Sequence, residues 1–230
     1  MDISRKEILR YLGYRGKPAD EIVTNSIESC LAELLRIISP KCIYQIFPVT
    51  FGENHMVTIG SISIQSKNLS QHINGCKEAA IFAATLGAQT DLLIQKYNKL
   101  DMSKAVILQA CAATVIEAYC DEQQDFMKEE AGKQGLYLRP RFSPGYGDFP
   151  LTYQKDLLGV LNCQKRIGLT VMDSLILAPS KSVTAVIGLT EESTTCHIAR
   201  CMTVRQKIVR LERKNDHGYF KATWKTYYFL

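Results

Sequence analysis

The chain has 230 residues, of which 46% are apolar and 22% charged, with a formal net charge of +5. A chain of this size buries roughly 70% of its unfolded surface, its composition excludes a disordered protein, and no apolar run approaches the roughly 18 residues of a membrane-spanning helix. The charge is uneven: from Thr194 onward there are eight Lys/Arg and two Asp/Glu, while the rest is nearly neutral.

Ser4-Arg5-Lys6-Glu7 forms a capping box ahead of Ile8, Leu9 and Leu12, so the spacing predicts a short helix stopped by Gly13 and Gly16. Pro18 suits a first helical turn, and Ile22, Val23, Ile27, Cys30, Leu31, Leu34, Leu35 and Ile38 follow at helical spacing up to Pro40. Residues 43–49 and 56–64 are rich in β-branched side chains and joined by a polar, glycine-containing segment, which predicts a hairpin of two strands. A short polar helix is expected over 66–73 and a buried strand over 79–85, ending at Gly87. Residues 90–97 read as helix. Asp101 then caps a second helix running to about residue 130, with Val106, Ile107, Ala110, Cys111, Val115 and Ala118 on one face. Residues 139–150 hold three prolines and two glycines in twelve positions and can be neither helix nor central strand. A short helix over 155–162 and strands over 170–177 and 182–189 complete the pattern. The irregular alternation, a hairpin early and a strand pair late, predicts an α+β fold with a mostly antiparallel sheet flanked by helices. The expected division is a globular domain over 1–195 and a basic tail over 196–230.

Six of the eight cysteines (30, 42, 76, 111, 120 and 163) lie in apolar stretches, where a free thiol acts as a small hydrophobe. Cys196 and Cys201, with His197 between them, could furnish half a metal site, but tetrahedral zinc needs four ligands, so no metal is expected. The start of the chain lacks the apolar core of a secretory signal, which makes a cytoplasmic address the default. Dinucleotide, P-loop, zincin and nucleophile-elbow signatures are absent. A basic tail can reach for nucleic acid or an acidic partner, but the body shows no such bias and argues against a nucleic-acid binder.

The segment Arg141-Phe142-Ser143-Pro144-Gly145-Tyr146-Gly147-Asp148-Phe149-Pro150 stands out. It can be read blandly, as a Pro-Gly turn plugged by aromatics. It also combines a guanidinium fork suited to a carboxylate, glycines that let backbone approach a ligand, and a tyrosine face that favours a cation or a planar ring. Glu117 would ordinarily be a solvated or ion-paired helix residue. Asp148 could be a turn-former, and Lys181 and Ser182 a cap between two strands.

This string, followed by Gln154, resembles the signature loop of the activation domain of cobalamin-dependent methionine synthase, closest to its small stand-alone form from anaerobic bacteria. Further similar stretches are Arg10-Tyr11-Leu12-Gly13-Tyr14, Ala83-Ala84-Thr85-Leu86-Gly87 and the run of residues 179–189. The resemblance implies an S-adenosylmethionine-binding reactivation subunit with a shallow ligand groove. It would support reductive methylation of cob(II)alamin on a partner methionine synthase, with a one-electron donor such as a flavodoxin, and have no activity alone. By the same resemblance Arg141 would hold the ligand's carboxylate, Ser143, Gly145 and Tyr146 would contact it largely through backbone, and Glu117 would face its polar groups. No catalytic residue is implied, since the cobalamin of the partner carries the chemistry. The sequence departs from the pattern in three ways: residues 133–138 hold no acid ahead of the arginine, the family's acidic ligand contact near the N-terminus of the domain has no counterpart, and the cysteine cluster ending many relatives shrinks to Cys196 and Cys201. The alternative is a non-catalytic scaffold docking on a corrinoid methyltransferase with another ligand or none.

Overall fold

A computed structural model describes residues 1–14 and 18–192. Helix α1 (Arg5–Tyr11) begins where predicted, with the Ser4 hydroxyl accepting from the Glu7 amide. Helix α2 (Glu21–Ile37) is capped by the Asp20 carboxylate, which accepts from the Val23 amide, so Pro18 lies outside it. Strand β1 (Lys41–Phe51) leads into β2 (Met56–Ile59) and β3 (Ile62–Gln65). The expected second strand of the hairpin is thus two strands, divided at Gly60 with φ of +58°, whose added Cβ would meet the Phe47 ring at 2.7 Å. A left-handed turn reverses the chain there, which alternation of side chains cannot reveal.

Helix α3 (Lys67–His72), strand β4 (Glu78–Thr85), helix α4 (Ala88–Leu100) and helix α5 (Met102–Gly132) follow. Asp101 caps α5 through the Lys104 amide, as its sequence implies. After β5 (Tyr137–Leu138) and the proline-rich segment come α6 (Gln154–Leu161) and α7 (Cys163–Ile167). The strand expected over 170–177 is instead a small ribbon, β6 (Thr170–Val171) with β7 (Leu177–Ala178), ahead of β8 (Ser182–Thr190). Leu175 turns it with φ of +65°, and the Gln154 side-chain amide donates to the Leu175 carbonyl at 2.9 Å.

The main sheet has the order β3-β2-β1-β4-β8-β5 with every pair antiparallel, which bears out the α+β expectation. Strands β4 and β8 are central and buried on both faces, so they read as continuous apolar runs rather than alternating ones. On one face Ala80, Phe82, Ala84, Ala185 and Ile187 pack against α1, α2, α4 and α5. On the other, Ala79, Ile81, Ala83 and Val186 meet α3, α6 and α7. The alanines of β4 and of α5 let the long helix approach the sheet closely. Cys30, Cys76, Cys111, Cys120 and Cys163 are buried and Cys42 half-buried, all as free thiols. Burial pushes the Cys42, Cys111 and Cys163 thiols up to about 12, so they serve as packing groups. The whole expected tail over 196–230, with Cys196 and Cys201, falls outside the described residues.

Candidate functional site: a strap along the sheet edge

Beyond β5 the chain continues along β8 without forming a regular strand. Pro140 and Pro144 have no N–H to donate, so the ladder is reduced to separate contacts. The Arg139 amide donates to the Gly188 carbonyl at 2.8 Å, and Phe142 and Val186 exchange both bonds at 2.9 Å. Successive side chains of extended backbone point to opposite faces. Phe142 accordingly packs toward the core under α3 and α6, while Arg141 reaches α5 on the other side.

The far end of the strap is fixed by Asp148. Its carboxylate accepts from the Ser66 hydroxyl at 2.5 Å, the Lys67 amide at 2.8 Å and the Asn68 amide at 3.0 Å, and its own amide donates to Asn68 Oδ1 at 3.2 Å. Burial works to raise its pKa, but these hydrogen bonds outweigh that and hold it below the usual aspartate value. Asp148 therefore caps a helix far away in sequence and also meets its own backbone amide. Gly147, with φ of +55°, lies so close to Asn68 Oδ1 that a Cβ would stand 2.6 Å from it. Between the two ends runs an aromatic column. His72 stacks on Phe142 at 4.9 Å, Phe142 on Phe149 at 6.2 Å, and Tyr153 tilts against Phe149 at 5.9 Å. His72 Nε2 is 2.7 Å from the Pro140 carbonyl, so that nitrogen carries the proton. Burial, aided by Arg139, lowers its pKa against the pull of that bond and favours the neutral ring.

The structure brings Arg141 and Glu117 together: Nη2 lies 3.1 Å from Glu117 Oε2. The same nitrogen is 2.8 Å from Asp121 Oδ1, and Nη1 is 2.9 Å from Gln124 Oε1. Burial disfavours the charge on Arg141, but Glu117 and Asp121 hold its pKa above the ordinary value. Asp121 and Gln124 were not singled out by sequence. The signal was present, since residues 117, 121 and 124 fall at helical spacing on one face of α5. The arginine expected to meet a ligand carboxylate thus rests on the protein's own carboxylates. Tyr11, at the end of α1, lies close enough for Glu117 to add to the effect of burial in raising its phenol.

The remaining expected residues lie in the strap. Ser143 is buried, and its carbonyl accepts from the Tyr146 amide at 3.1 Å. The Gly145 amide donates to the Phe149 carbonyl at 2.7 Å, in a loop that its φ of +96° closes. The amides of Gly145 and Tyr146, two of the three positions expected to contact a ligand through backbone, are thus engaged within the loop. The Tyr146 ring is half-buried and tilts against Phe142 at 6.1 Å. Lys181 is buried beyond the cis Ala178–Pro179 bond, in a loop held by Asp91, which accepts from the Ser180 amide at 2.7 Å and from its hydroxyl. The Ser182 hydroxyl donates to the Pro179 carbonyl at 2.7 Å and lies in hydrogen-bond contact with the Thr85 hydroxyl at 2.8 Å, so it does close the turn between two strands.

A groove of about 330 Å³ opens elsewhere, lined by Leu12, Tyr14, Val23, Met102, Ser103, Val106 and Ile107. Among the described residues its lining holds no charged side chain and none of the strap residues. Among the described residues no His/Cys/Asp/Glu group could hold a metal, and no helix is long and apolar enough to cross a membrane.

A solved structure described as the "MetH Reactivation Domain bound to AdoHcy" is similar, with a TM-score of 0.59 and 15% identity, over 95% of this chain and 83% of that one. At that identity the likeness establishes the fold. No curated protein matches the chain. The family model described as "Vitamin B12 dependent methionine synthase, activation domain" matches residues 65–209, which include α5, the whole strap and β8. On a match across more than half its length, the chain belongs to the activation-domain family of vitamin B12-dependent methionine synthases.

Proposed function

We propose that the chain binds S-adenosylmethionine at the junction of the strap and α5 and supports reactivation of a cobalamin-dependent methionine synthase carried by a separate protein. Reduction of the partner's cobalt by a one-electron donor such as a flavodoxin, with methyl transfer from S-adenosylmethionine, supplies the chemistry. This chain's part is to hold and aim the methyl donor, which is catalysis by positioning. Arg141 would take the ligand's carboxylate, Glu117 its ammonium, and Ser143, Gly145 and Tyr146 would form the wall. The observation that carries this reading is the convergence of Arg141 and Glu117 from two segments, at 3.1 Å, on the family's own sequence string.

The test is calorimetry of the full chain with S-adenosylmethionine, beside an Arg141→Ala variant and a reactivation assay with a cobalamin-loaded partner. A charged hydrogen-bonded contact is worth roughly 1.5–3 kcal/mol, so Arg141→Ala should weaken binding by about tenfold or more and depress reactivation. No heat at millimolar ligand would overturn the reading. One observation favours the scaffold alternative: the guanidinium is already matched by two carboxylates. That alternative predicts no ligand heat and partner docking unaffected by Arg141→Ala.

A further inference from the structure

We propose that Asp121 is a displaceable stand-in for the ligand's carboxylate, so that entry of a ligand at Arg141 is an exchange of one carboxylate for another. This deepens the reading above and rests on it. Three groups on α5 hold the guanidinium, and they are not equivalent. The Glu117 side chain is 24% exposed and that of Asp121 69%, although both reach the same Nη2. Gln124 is buried and takes Nη1. Glu117 and Gln124 therefore form a fixed floor beneath Arg141, while Asp121 covers it from the solvent side.

A carboxylate arriving from solvent would meet the like charge of Asp121 on the nitrogen it needs. Asp121 can turn into water and recover its hydration, because it is mostly exposed and its bond to Arg141 belongs to the weak, exposed class of ion pair. Glu117 stays, which keeps the guanidinium charged and oriented throughout. The exchange also confers selectivity. A ligand without a carboxylate cannot replace Asp121 and would have to leave the ion pair intact, so a decarboxylated sulfonium gains nothing from Arg141. Asp121 is a positioning and specificity residue in this scheme.

The wild-type chain and its Asp121→Asn and Asp121→Glu variants are titrated calorimetrically with S-adenosylmethionine and with its decarboxylated analogue. Asparagine should bind S-adenosylmethionine about two- to fivefold more tightly than wild type, the range set by an exposed ion pair. Glutamate should restore wild-type affinity, and the decarboxylated analogue should show no gain. Long-range electrostatics alone predicts the reverse sign, because S-adenosylmethionine is a net cation and the variant removes a negative charge. Equal or weaker binding of S-adenosylmethionine by Asp121→Asn overturns the exchange while leaving the ligand reading in place. Absence of binding in all three chains overturns both.

Discussion

Replacing Asp148 by alanine tests whether the strap is held to α3 as described. The substitution removes an acceptor of three hydrogen bonds, from the Ser66 hydroxyl and the Lys67 and Asn68 amides. Lys67 and Asn68 are exposed, so their freed amides can turn to water, while the buried Ser66 hydroxyl loses its acceptor, so the cost is at least that of a lost helix cap. A cap is worth about 1–2 kcal/mol. At about 2–4 °C per kcal/mol for a chain of this size, the midpoint of thermal unfolding at pH 7 should fall by about 2–8 °C. The folded-state pKa of Asp148 is depressed, so its contribution is present above the ordinary aspartate value of about 4 and is lost as pH falls through the lower folded value. The gap between wild type and Asp148→Ala should therefore close in acid, and Asp148→Asn should fall between them at neutral pH. Thermal and urea unfolding at pH 7 and in acid would measure this. An unchanged midpoint at pH 7, or a gap that persists at low pH, would refute the anchor.

Gly188→Ala should destabilise by about 1–3 kcal/mol through overpacking, because its Cβ would stand 2.7 Å from Cys76 Sγ and 3.1 Å from Ile73 Cγ2. Adding Cys76→Ala should recover part of the loss in urea unfolding. Burial pulls the Lys181 ammonium down to about 8 against the attraction of Asp91. Between that value and about 10.5 the unfolded chain holds a proton that the folded chain lacks, so this group's contribution to stability rises with pH. A Lys181→Met variant should be about 1–3 kcal/mol more stable at pH 7, and its advantage should shrink from pH 8 to 10.5; the difference between the two chains is the quantity to follow, because ionisation of the buried thiols in the unfolded state acts in the opposite direction. Cys42, Cys111 and Cys163, pushed up to about 12 by burial, should resist iodoacetamide at pH 8 and label only in denaturant. Mass spectrometry would show it, and rapid native labelling would refute the burial.

How much of the fold was legible depended on the kind of signal each element carries. Helices α2 and α5 and strands β4 and β8 are long or wholly buried, and hydrophobic spacing locates them within a few residues. The breaks were harder to see. Gly60 and Leu175 each reverse the chain at positive φ within stretches that read as single strands, and no side-chain period records a local backbone angle. Helix α7 follows α6 through left-handed Asn162, the last residue of the single helix expected over 155–162.

The site divided along the same line. Composition alone marked residues 141–150 as a special loop, because prolines and glycines constrain the backbone locally and Arg and Tyr bring specific chemistry wherever they stand. Helical spacing alone would have placed Asp121 and Gln124 beside Glu117. Only the folded chain decided that these three meet Arg141, and that Asp148 reaches Ser66 across 82 positions to pin the strap. Local conformation is set by neighbours in the chain, whereas the partner of a charge is set by which surfaces the two cores bring together.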